Sequence, residues 1–278
     1  MKNEVGMNNV TEETLAKIRK IRHVVMDMDG TIYRGKQLFP TTKPFLELLD
    51  KYGIGYTFLT NNSSRSKKVY LDHLEEFGIH IQGEQMYTST VNTVQYLQKF
   101  HPDVKRLFML GTPAFREEMV SYGFCDVNME EEPQAVVTAF DTALAYERLC
   151  KAAWWIKHDK LWIATHPDLE CPTELETTLV DCGSITACLE CVSKKKAIVL
   201  GKPNKEMIEL ILDQHGLKNE EVVMCGDRMY TDIQLAVNSK VYGVLISDLP
   251  HEKVQDNIAT WTMPHLGILG NWIAEAHK

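Results

Sequence analysis

The sequence lacks any apolar stretch long enough to cross a bilayer, and its first residues, 1–6, carry no segment of signal-peptide length. Short-period repeats and low-complexity tracts are also absent. Positive charge is in deficit, because 38 acidic residues exceed 30 lysines and arginines and leave a formal net charge of −8. This balance argues against nucleic acid and against a membrane surface as partners. We therefore expect a cytoplasmic protein, in which an anionic substrate needs a locally cationic site.

The cysteines do not indicate a disulfide framework. They are seven in number and scattered, which favours reduced thiols. Cys188 and Cys191 form a single C-x-x-C pair, but a zinc site needs a second pair at suitable spacing, which Cys171 and Cys182 do not supply. We interpret Cys188 and Cys191 as buried thiols on a helix.

Strands and helices alternate at both ends of the chain. Apolar residues at helical spacing over 43–53 end at a glycine, and a strand at 55–59 and a helix ending at Gly78 follow. The alternation returns with strands at 198–200, 221–225 and 241–246 and helices at 204–215 and 231–238. We assign the late strands to the same sheet as the early ones. The pattern predicts a doubly wound, Rossmann-like parallel sheet with helices on its faces.

The middle of the chain has strand candidates of its own, at 106–110, 135–139 and 161–164, each with a helical pattern nearby. It is long enough for a separate α/β domain. We predict one α/β domain built from residues 1–88 and 196–278, with residues 89–195 inserted into it as a second α/β domain.

The most informative segment is Asp-Met-Asp-Gly-Thr at residues 27–31, directly after an apolar strand. Asp27 and Asp29 are placed where a strand should end and a turn led by Gly30 begin, at the carboxyl edge of the sheet. Two carboxylates this close stay ionised together only beside a cation, and otherwise one keeps its proton. Taken alone, the pattern also fits an ordinary turn with an aspartate cap.

Two further segments offer groups that can hold phosphate. The polar run 60–64, Thr-Asn-Asn-Ser-Ser, fits either a helix N-cap or a set of donors for phosphoryl oxygens. In Gly-Lys-Pro-Asn at 201–204, Pro203 suits the first position of a helix, so that Lys202 would stand at the cap, where it reinforces an anion site. A solvated surface lysine is the alternative for Lys202.

The last segment lies at 224–232. Asp227 follows a predicted strand and Asp232 comes five residues later. Carboxylates near Asp27 would complete an oxygen-rich site suited to a hard cation such as Mg²⁺.

The four segments, in this order, resemble the motifs of the haloacid dehalogenase superfamily of phosphotransferases. Residues 27–33, 60–64, 164–168, 201–203 and 226–228 are similar to its nucleotidase-like and p-nitrophenyl-phosphatase-like branch, which has a large inserted cap domain. Only 33 positions separate Asp27 from Thr60, whereas 142 separate Thr60 from Lys202, so the cap lies between the second and third motifs. In place of the P-G-x-G that the family often has in the cap, this chain has Asp181-Cys182-Gly183-Ser184.

The resemblance implies hydrolysis of a small phosphomonoester with Mg²⁺ through an aspartyl-phosphate. It makes Asp27 the nucleophile and Asp29 the general acid and base. Mg²⁺ would be held by Asp27, Asp227 and the backbone carbonyl of Asp29, with Asp232 orienting a metal-bound water. The resemblance makes Thr60 and Lys202 catalytic as well, since these two and Asn61 would supply fixed donors for the equatorial oxygens in the transition state. Phosphate or substrate binding falls to a set of residues along the chain: Gly30, Thr60, Asn61, Asn62 and Lys202.

Other functions remain open at this point. A phosphomutase or another phosphotransferase of the same fold would keep Asp29 and differ only in the acceptor. A non-enzymatic phosphoacceptor signalling domain would need neither Asp29 nor an inserted cap. We also expect His166, which precedes Pro167 in a loop after a cap strand, to contact the substrate, with a structural loop histidine as the alternative. Cap-to-cap contact is the expected mode of a homodimer.

Overall fold

The computed structural model of the chain describes residues 10–171 and 176–278. The opening segment, on which the expectation about a signal peptide rests, lies outside these ranges. None of the helices within them combines the length and the apolar character that crossing a membrane requires.

The described residues contain fifteen short strands: β1 His23–Asp27, β2 Tyr33–Arg34, β3 Gln37–Leu38, β4 Gly55–Thr60, β5 Met86–Thr88, β6 Arg106–Leu110, β7 Cys125–Asp126, β8 Ala135–Thr138, β9 Leu161–Ala164, β10 Glu170–Cys171, β11 Leu179–Val180, β12 Ile198–Val199, β13 Val222–Gly226, β14 Tyr242–Ile246 and β15 Trp261–Met263.

The α-helices among the described residues are α1 Glu12–Ile18, α2 Thr42–Tyr52, α3 Lys67–Glu76, α4 Ser89–Phe100, α5 Pro113–Ser121, α6 Tyr146–Lys157, α7 Cys182–Ser193, α8 Glu206–His215, α9 Gln234–Ser239 and α10 Leu266–Ala276. A π-helical turn, Met229–Ile233, precedes α9.

The chain divides into two compact units. Unit 1 contains the chain up to Leu59 together with Ile79–Met86 and Lys202–Lys278, and unit 2 contains Thr60–Gly78 and Tyr87–Gly201. Residues 60–78 thus group with the middle of the chain. The insertion of residues 89–195 as a domain stays a prediction.

Unit 1 is built around a sheet with the strand order β15-β14-β13-β1-β4-β5. Strand β1 lies between β13 and β4 and pairs with both in parallel. All five residues of β1 are buried, which is typical of a parallel strand with helices on both faces. The predicted α/β class with a Rossmann-like parallel sheet is therefore confirmed. The short hairpin of β2 and β3 follows the turn at Gly30.

Unit 2 has its own parallel sheet, in the order β12-β9-β8-β6-β7. Successive residues of β6 point to opposite faces, as the period of a strand requires. Leu107 and Met109 pack in one cluster with α4 and α5, whereas Phe108 and Leu110 pack in another with α6 and α7. Helices on both faces thus bury the predicted middle strands.

One strand was assigned to the wrong sheet. We expected residues 198–200 in the sheet of β1, but β12 pairs with β9, with Ile198 opposite Ile163. The pairing continues past the strand, where the Leu200 amide donates to the Ala164 carbonyl over 2.9 Å. The apolar pattern identifies a strand correctly, but it carries no information about which edge the strand joins.

The interpretation of Cys188 and Cys191 as buried thiols is wrong in its burial. Both cysteines lie on helix α7, as expected, but both are exposed. The buried face of α7 consists of Ile185 and Leu189 with their neighbours at helical spacing, and the two cysteines lie on the other side. None of the seven cysteines, all of which lie within the described ranges, forms a disulfide.

Candidate active site

Three carboxylates meet where two neighbouring strands of unit 1 end. Asp27 is the last residue of β1, and Asp227 directly follows Gly226 at the end of β13. Since parallel strands end at the same edge of a sheet, these residues lie side by side. Asp232, from the π-helical turn, joins them, and one carboxylate oxygen of each residue lies within 4.8 Å of the others.

Two glycines allow the carboxylates to approach this closely. Gly30 has a φ of +88°, and a Cβ there would stand 2.2 Å from Asp227 Oδ2. A Cβ on Gly226 would stand 2.3 Å from Asp232 Oδ2. Neither position can carry a side chain while the neighbouring carboxylate keeps its place. The glycines of both motifs are therefore required by the packing of the cluster itself.

Lys202 supplies the positive charge. Its ammonium donates to Asp232 Oδ1 over 2.7 Å and also to Asp27 Oδ1, and the side chain is buried. The predicted place of Lys202 at a helix cap is wrong, because α8 begins at Glu206 with Lys205 as its N-cap. The alternative of a solvated surface lysine is wrong as well. Lys202 acts on this site through its own ammonium, without a helix N-terminus behind it.

The cluster carries more negative charge than Lys202 balances. Burial raises the pKa of Asp27, and the neighbouring Asp232 and Asp227 raise it further, against the effect of Lys202. Burial, followed by Asp232, raises the pKa of Asp227 to about 6. For Lys202, burial opposes the charged form, but Asp232 and Asp27 outweigh it and raise the pKa of the ammonium. A second cation would relieve this excess charge.

The donor set fits Mg²⁺. Both oxygens of Asp232 are engaged, Oδ1 by Lys202 and Oδ2 by the amide of Arg228 at 3.0 Å. Asp227 Oδ1, in contrast, is buried without a hydrogen-bond partner among the described residues. Hard oxygen ligands with an unsatisfied carboxylate among them suit this cation. Asp29 has an exposed side chain outside this cluster, so its roles as acid and as carbonyl ligand stay predictions.

The predicted phosphate-binding run begins in unit 2. Thr60 Oγ1 accepts the amide of Asn62 over 3.2 Å, and Asn62 Oδ1 accepts the amide of Ser64 over 2.9 Å. These bonds form a compact polar turn after β4. The run is not a helix N-cap, because Ser66 caps α3. Phosphate binding by Thr60, Asn61 and Asn62 stays a prediction.

His166 lies fully buried in unit 2. Its imidazole Nδ1 lies 3.7 Å from Asp168 Oδ2, and its Nε2 lies 3.6 Å from Asp181 Oδ1. A contact between His166 and substrate stays a prediction, and the full burial of the ring gives it no support.

Comparison with known proteins places this geometry in a family. Residues 24–125 match the model described as haloacid dehalogenase-like hydrolase, and residues 199–251 match a second, HAD-hydrolase-like model. The structure of the 4-nitrophenylphosphatase from Thermotoga maritima superposes with a TM-score of 0.86 and 33% identity, covering 92% of this chain and 98% of that one. The chain belongs to the haloacid dehalogenase-like hydrolases.

Curated relatives in this family are phosphatases. The 5'-nucleotidase YutF of Bacillus subtilis is 28% identical over 80% of this chain and 85% of its own length. The acid sugar phosphatase of Staphylococcus aureus strain USA300 is 28% identical over 80% of this chain and 84% of its own length. The predictions of the family and of a phosphoric monoester hydrolase are thus confirmed for this haloacid dehalogenase-like chain.

Sequence reasoning missed one group of residues in this haloacid dehalogenase-like hydrolase. Asp168 and Asp181 face the two nitrogens of His166, and Ser63 Oγ lies 3.2 Å from Nε2. In the sequence, the Asp-Cys-Gly-Ser run at 181–184 differs from the family pattern without indicating a role. No local spacing links it to His166, because a loop and a helix start bring them together.

Proposed function

We propose that the chain hydrolyses a small phosphomonoester with Mg²⁺ through an aspartyl-phosphate on Asp27. The observation that carries this proposal is the cluster of Asp27, Asp227 and Asp232, in which the buried Lys202 pairs with Asp27 and Asp232. The phosphatase names of the relatives support it.

Asp27 is the nucleophile in this proposal. One carboxylate oxygen attacks phosphorus as the bond to the leaving oxygen breaks, and Asp29 gives that oxygen a proton. Asp29 then takes a proton from the water that cleaves the acyl phosphate. The exposed position of Asp29 after the strand end supports this exchange of protons with substrate and water.

The remaining residues bind and orient. Asp27, Asp227 and the carbonyl of Asp29 would hold Mg²⁺. Asp232 would hold the Lys202 ammonium and the Arg228 amide in place beside it. Bound there, Mg²⁺ supplies positive charge that screens the anionic nucleophile from the anionic phosphate. Lys202 adds a second fixed charge. Thr60, Asn61 and Asn62 would provide donors for the phosphoryl oxygens, and Gly30 would line the same site.

We infer the candidate leaving groups from the names of the relatives. A 4-nitrophenylphosphatase, an acid sugar phosphatase and a 5'-nucleotidase match most of the chain. We therefore propose p-nitrophenyl phosphate, sugar phosphates and nucleoside 5'-monophosphates as the classes to assay. Fold and motifs define the transferred group, whereas side chains of the inserted region select the alcohol.

The test is release of nitrophenolate and of inorganic phosphate with Mg²⁺ and with excess chelator. We expect turnover with the metal and a loss of at least about 100-fold without it, because the cluster's excess charge then faces the phosphate unscreened. Equal rates under both conditions would contradict the metal assignment. Mass spectrometry of acid-quenched enzyme detects the added phosphoryl group on Asp27.

Two further proposals concern the setting of the enzyme. Reduced cysteines support a cytoplasmic location.

Tyr146 and Trp154, eight residues apart on α6, expose apolar rings on one face of unit 2 and support a homodimer through the inserted region. Light scattering should give twice the chain mass for the wild type and the chain mass for Trp154→Glu. A monomeric wild type at tens of micromolar would contradict the dimer.

A further inference from the structure

The Asn61 side chain is held at both ends inside unit 2. Its Nδ2 donates to Asp168 Oδ1 over 3.2 Å, and both residues are buried. At its other end, Oδ1 lies so close to Gly201 that a Cβ there would stand 2.8 Å from it. The Asn61 carbonyl accepts the Ser89 hydroxyl over 2.5 Å. These contacts favour one orientation of Asn61, and Asp168 is a side chain that holds it.

Asp168 is itself held in place. Its Oδ2 faces His166 Nδ1 at 3.7 Å, and the opposite nitrogen of the ring faces Asp181 Oδ1 at 3.6 Å. The Asp168 carbonyl accepts the amide of Gly183 over 2.7 Å, and a Cβ on Gly183 would stand 2.1 Å from the Pro167 carbonyl oxygen. The start of α7 thus packs directly against the backbone at 167–168.

Ser63 ties the same network to the predicted phosphate-binding run. Its hydroxyl oxygen accepts the Phe140 amide over 2.9 Å and lies 3.0 Å from Thr165 Oγ1 and 3.2 Å from His166 Nε2. The turn at 60–64 is therefore fastened at two points, through Asn61 and through Ser63. Both points lead to residues 165–168.

We propose that Asp168 is a positioning residue that fixes the Asn61 amide for phosphoryl binding, with His166 holding Asp168 from behind. The proposal rests on the function proposed for Asn61. His166 then acts through Asp168 and does not touch the substrate. The loop at 165–168 and the Asp-Cys-Gly run that begins α7 are needed for the reaction because they hold the donors rigid, since a donor that is fixed before the reaction loses no energy to reorientation in the transition state.

The same three side chains could in principle hold a metal ion, since ligand atoms of His166, Asp168 and Asp181 lie within 4.8 Å of one another. The geometry favours the positioning network. Each carboxylate faces a different ring nitrogen, whereas a single ion binds one nitrogen of a histidine. Asp168 Oδ1 also accepts Asn61, and Asp181 Oδ1 accepts the Cys182 amide over 2.5 Å.

The experiment compares Asp168→Ala with Asp168→Asn, which retains an oxygen that can accept from Asn61. Asp126→Ala is the matched control. It also removes a carboxylate from unit 2, one that pairs with Arg116 at 3.2 Å and Arg148 at 3.4 Å away from the Asn61 turn. We expect Asp168→Ala to lower kcat for p-nitrophenyl phosphate by about tenfold or more with a smaller change in KM. Asp168→Asn should regain most of that loss, and Asp126→Ala should keep wild-type kcat.

Hydrogen exchange read by mass spectrometry gives a second measure that needs no turnover. Peptides covering residues 60–64 should exchange faster in Asp168→Ala than in the wild type, and at the wild-type rate in Asp168→Asn and Asp126→Ala. Unchanged exchange and kcat in Asp168→Ala would overturn the proposal. A stoichiometric metal that is present in the wild type and lost in Asp168→Ala, but retained in Asp126→Ala, would overturn it in favour of a metal site.

These readings keep the two proposals apart. A wild type without phosphatase activity refutes the proposed function, while the exchange rates still decide whether Asp168 fixes the turn. An active wild type with unaffected Asp168 variants refutes the positioning role alone.

Discussion

Two groups of carboxylates in this chain use the same residue types for different ends. In unit 1, Asp27, Asp227 and Asp232 lie together, and the ammonium of Lys202 pairs with Asp27 and Asp232. In unit 2, Asp168 and Asp181 face the two sides of an imidazole, that of His166. In the first group three carboxylates share one cation and an oxygen of Asp227 has no partner among the described residues. In the second, each carboxylate has hydrogen-bond donors from the chain.

The comparison shows how burial can either activate or immobilise a carboxylate. Where negative charge exceeds the local positive charge, pKa values rise and a bound cation is favoured. Where each carboxylate accepts hydrogen bonds from fixed donors, it serves as a rigid acceptor. An Asp→Asn substitution removes the charge and keeps the shape of the side chain. It should therefore lower kcat strongly in the first group and only slightly in the second.

The largest difference should come from matched Asp→Asn changes. Asp27→Asn removes the nucleophile and should lower kcat by at least about 1,000-fold, whereas Asp168→Asn should stay within about threefold of the wild type. The melting temperature of Asp27→Asn should hold or rise, because the amide relieves repulsion with Asp232 and Asp227. Steady-state kinetics and thermal melts check both. A fully active Asp27→Asn would refute the covalent route.

The cation of unit 1 provides the next test. Lys202→Met leaves Asp27 and Asp232 buried without their ammonium, so the free energy of unfolding should fall by about 3–5 kcal/mol. Lys205→Met is the control, since Lys205 pairs with Glu209 at 2.7 Å on the surface, where solvent screens the pair and its loss should change stability little. Urea titrations measure both values. Equal losses in the two variants would mean that Lys202 is not the counter-ion of this cluster.

Sequence and structure agree best at the ends of the strands. The positions of Asp27 and Asp227 follow from apolar runs that stop at polar residues, and parallel strands bring such ends together. Lys202 contacts Asp27 and Asp232, but the helix start that Pro203 suggested beside it lies instead at Glu206. The motif predicted the residue, and only the contacts define how it acts.

The group around His166 could not be predicted for a different reason. His166 and Asp168 belong to one loop, but Asp181 comes from the start of α7 and Asn61 from the turn after β4. Their meeting depends on how loops pack, which has no periodicity in the sequence. The same holds for β12, whose strand character was predicted but whose partner β9 was not.

Glycine substitutions test whether the crowding in unit 1 is needed for metal binding. Gly30→Ala places a Cβ against Asp227 Oδ2 at a φ of +88°, so Asp227 must move. The Mg²⁺ concentration for half-maximal activity should rise by about tenfold, and unfolding should become easier by about 1–3 kcal/mol. Gly53→Ala is the control, since its φ is +65° with nothing within 4 Å of the added atom. Gly53→Ala should lower the stability of the protein without changing the Mg²⁺ dependence of its activity.

A metal titration of the two glycine variants distinguishes backbone strain from displacement of the ligand. If Gly53→Ala shifted the Mg²⁺ dependence as much as Gly30→Ala does, the effect would come from reduced stability. The close approach of Gly30 to Asp227 would then have no specific effect on metal binding.

The last prediction concerns stability alone, at a histidine in unit 1 that has a hydroxyl as its polar partner. His23 is buried, its Nε2 lies 2.8 Å from Thr57 Oγ1, and burial followed by the nearby His215 lowers its pKa to about 4. The unfolded chain, with an ordinary histidine pKa near 6.5, then binds more protons than the folded one between about pH 6.5 and 4. The stability that neutral His23 contributes is therefore complete above about pH 6.5 and decreases as the pH falls through this window, by about 3 kcal/mol at most.

Urea titrations between pH 7 and 4 measure this loss, and His23→Gln is the matched variant because its amide reaches the position of Nε2 without titrating. The difference in unfolding free energy between wild type and His23→Gln should shift in favour of the variant as the pH falls. Parallel curves for the two proteins would show that His23 keeps the same protonation equilibrium in the folded and unfolded chain. The burial seen here would then have no electrostatic cost, and a buried imidazole in this fold would not need the flanking carboxylates that His166 has.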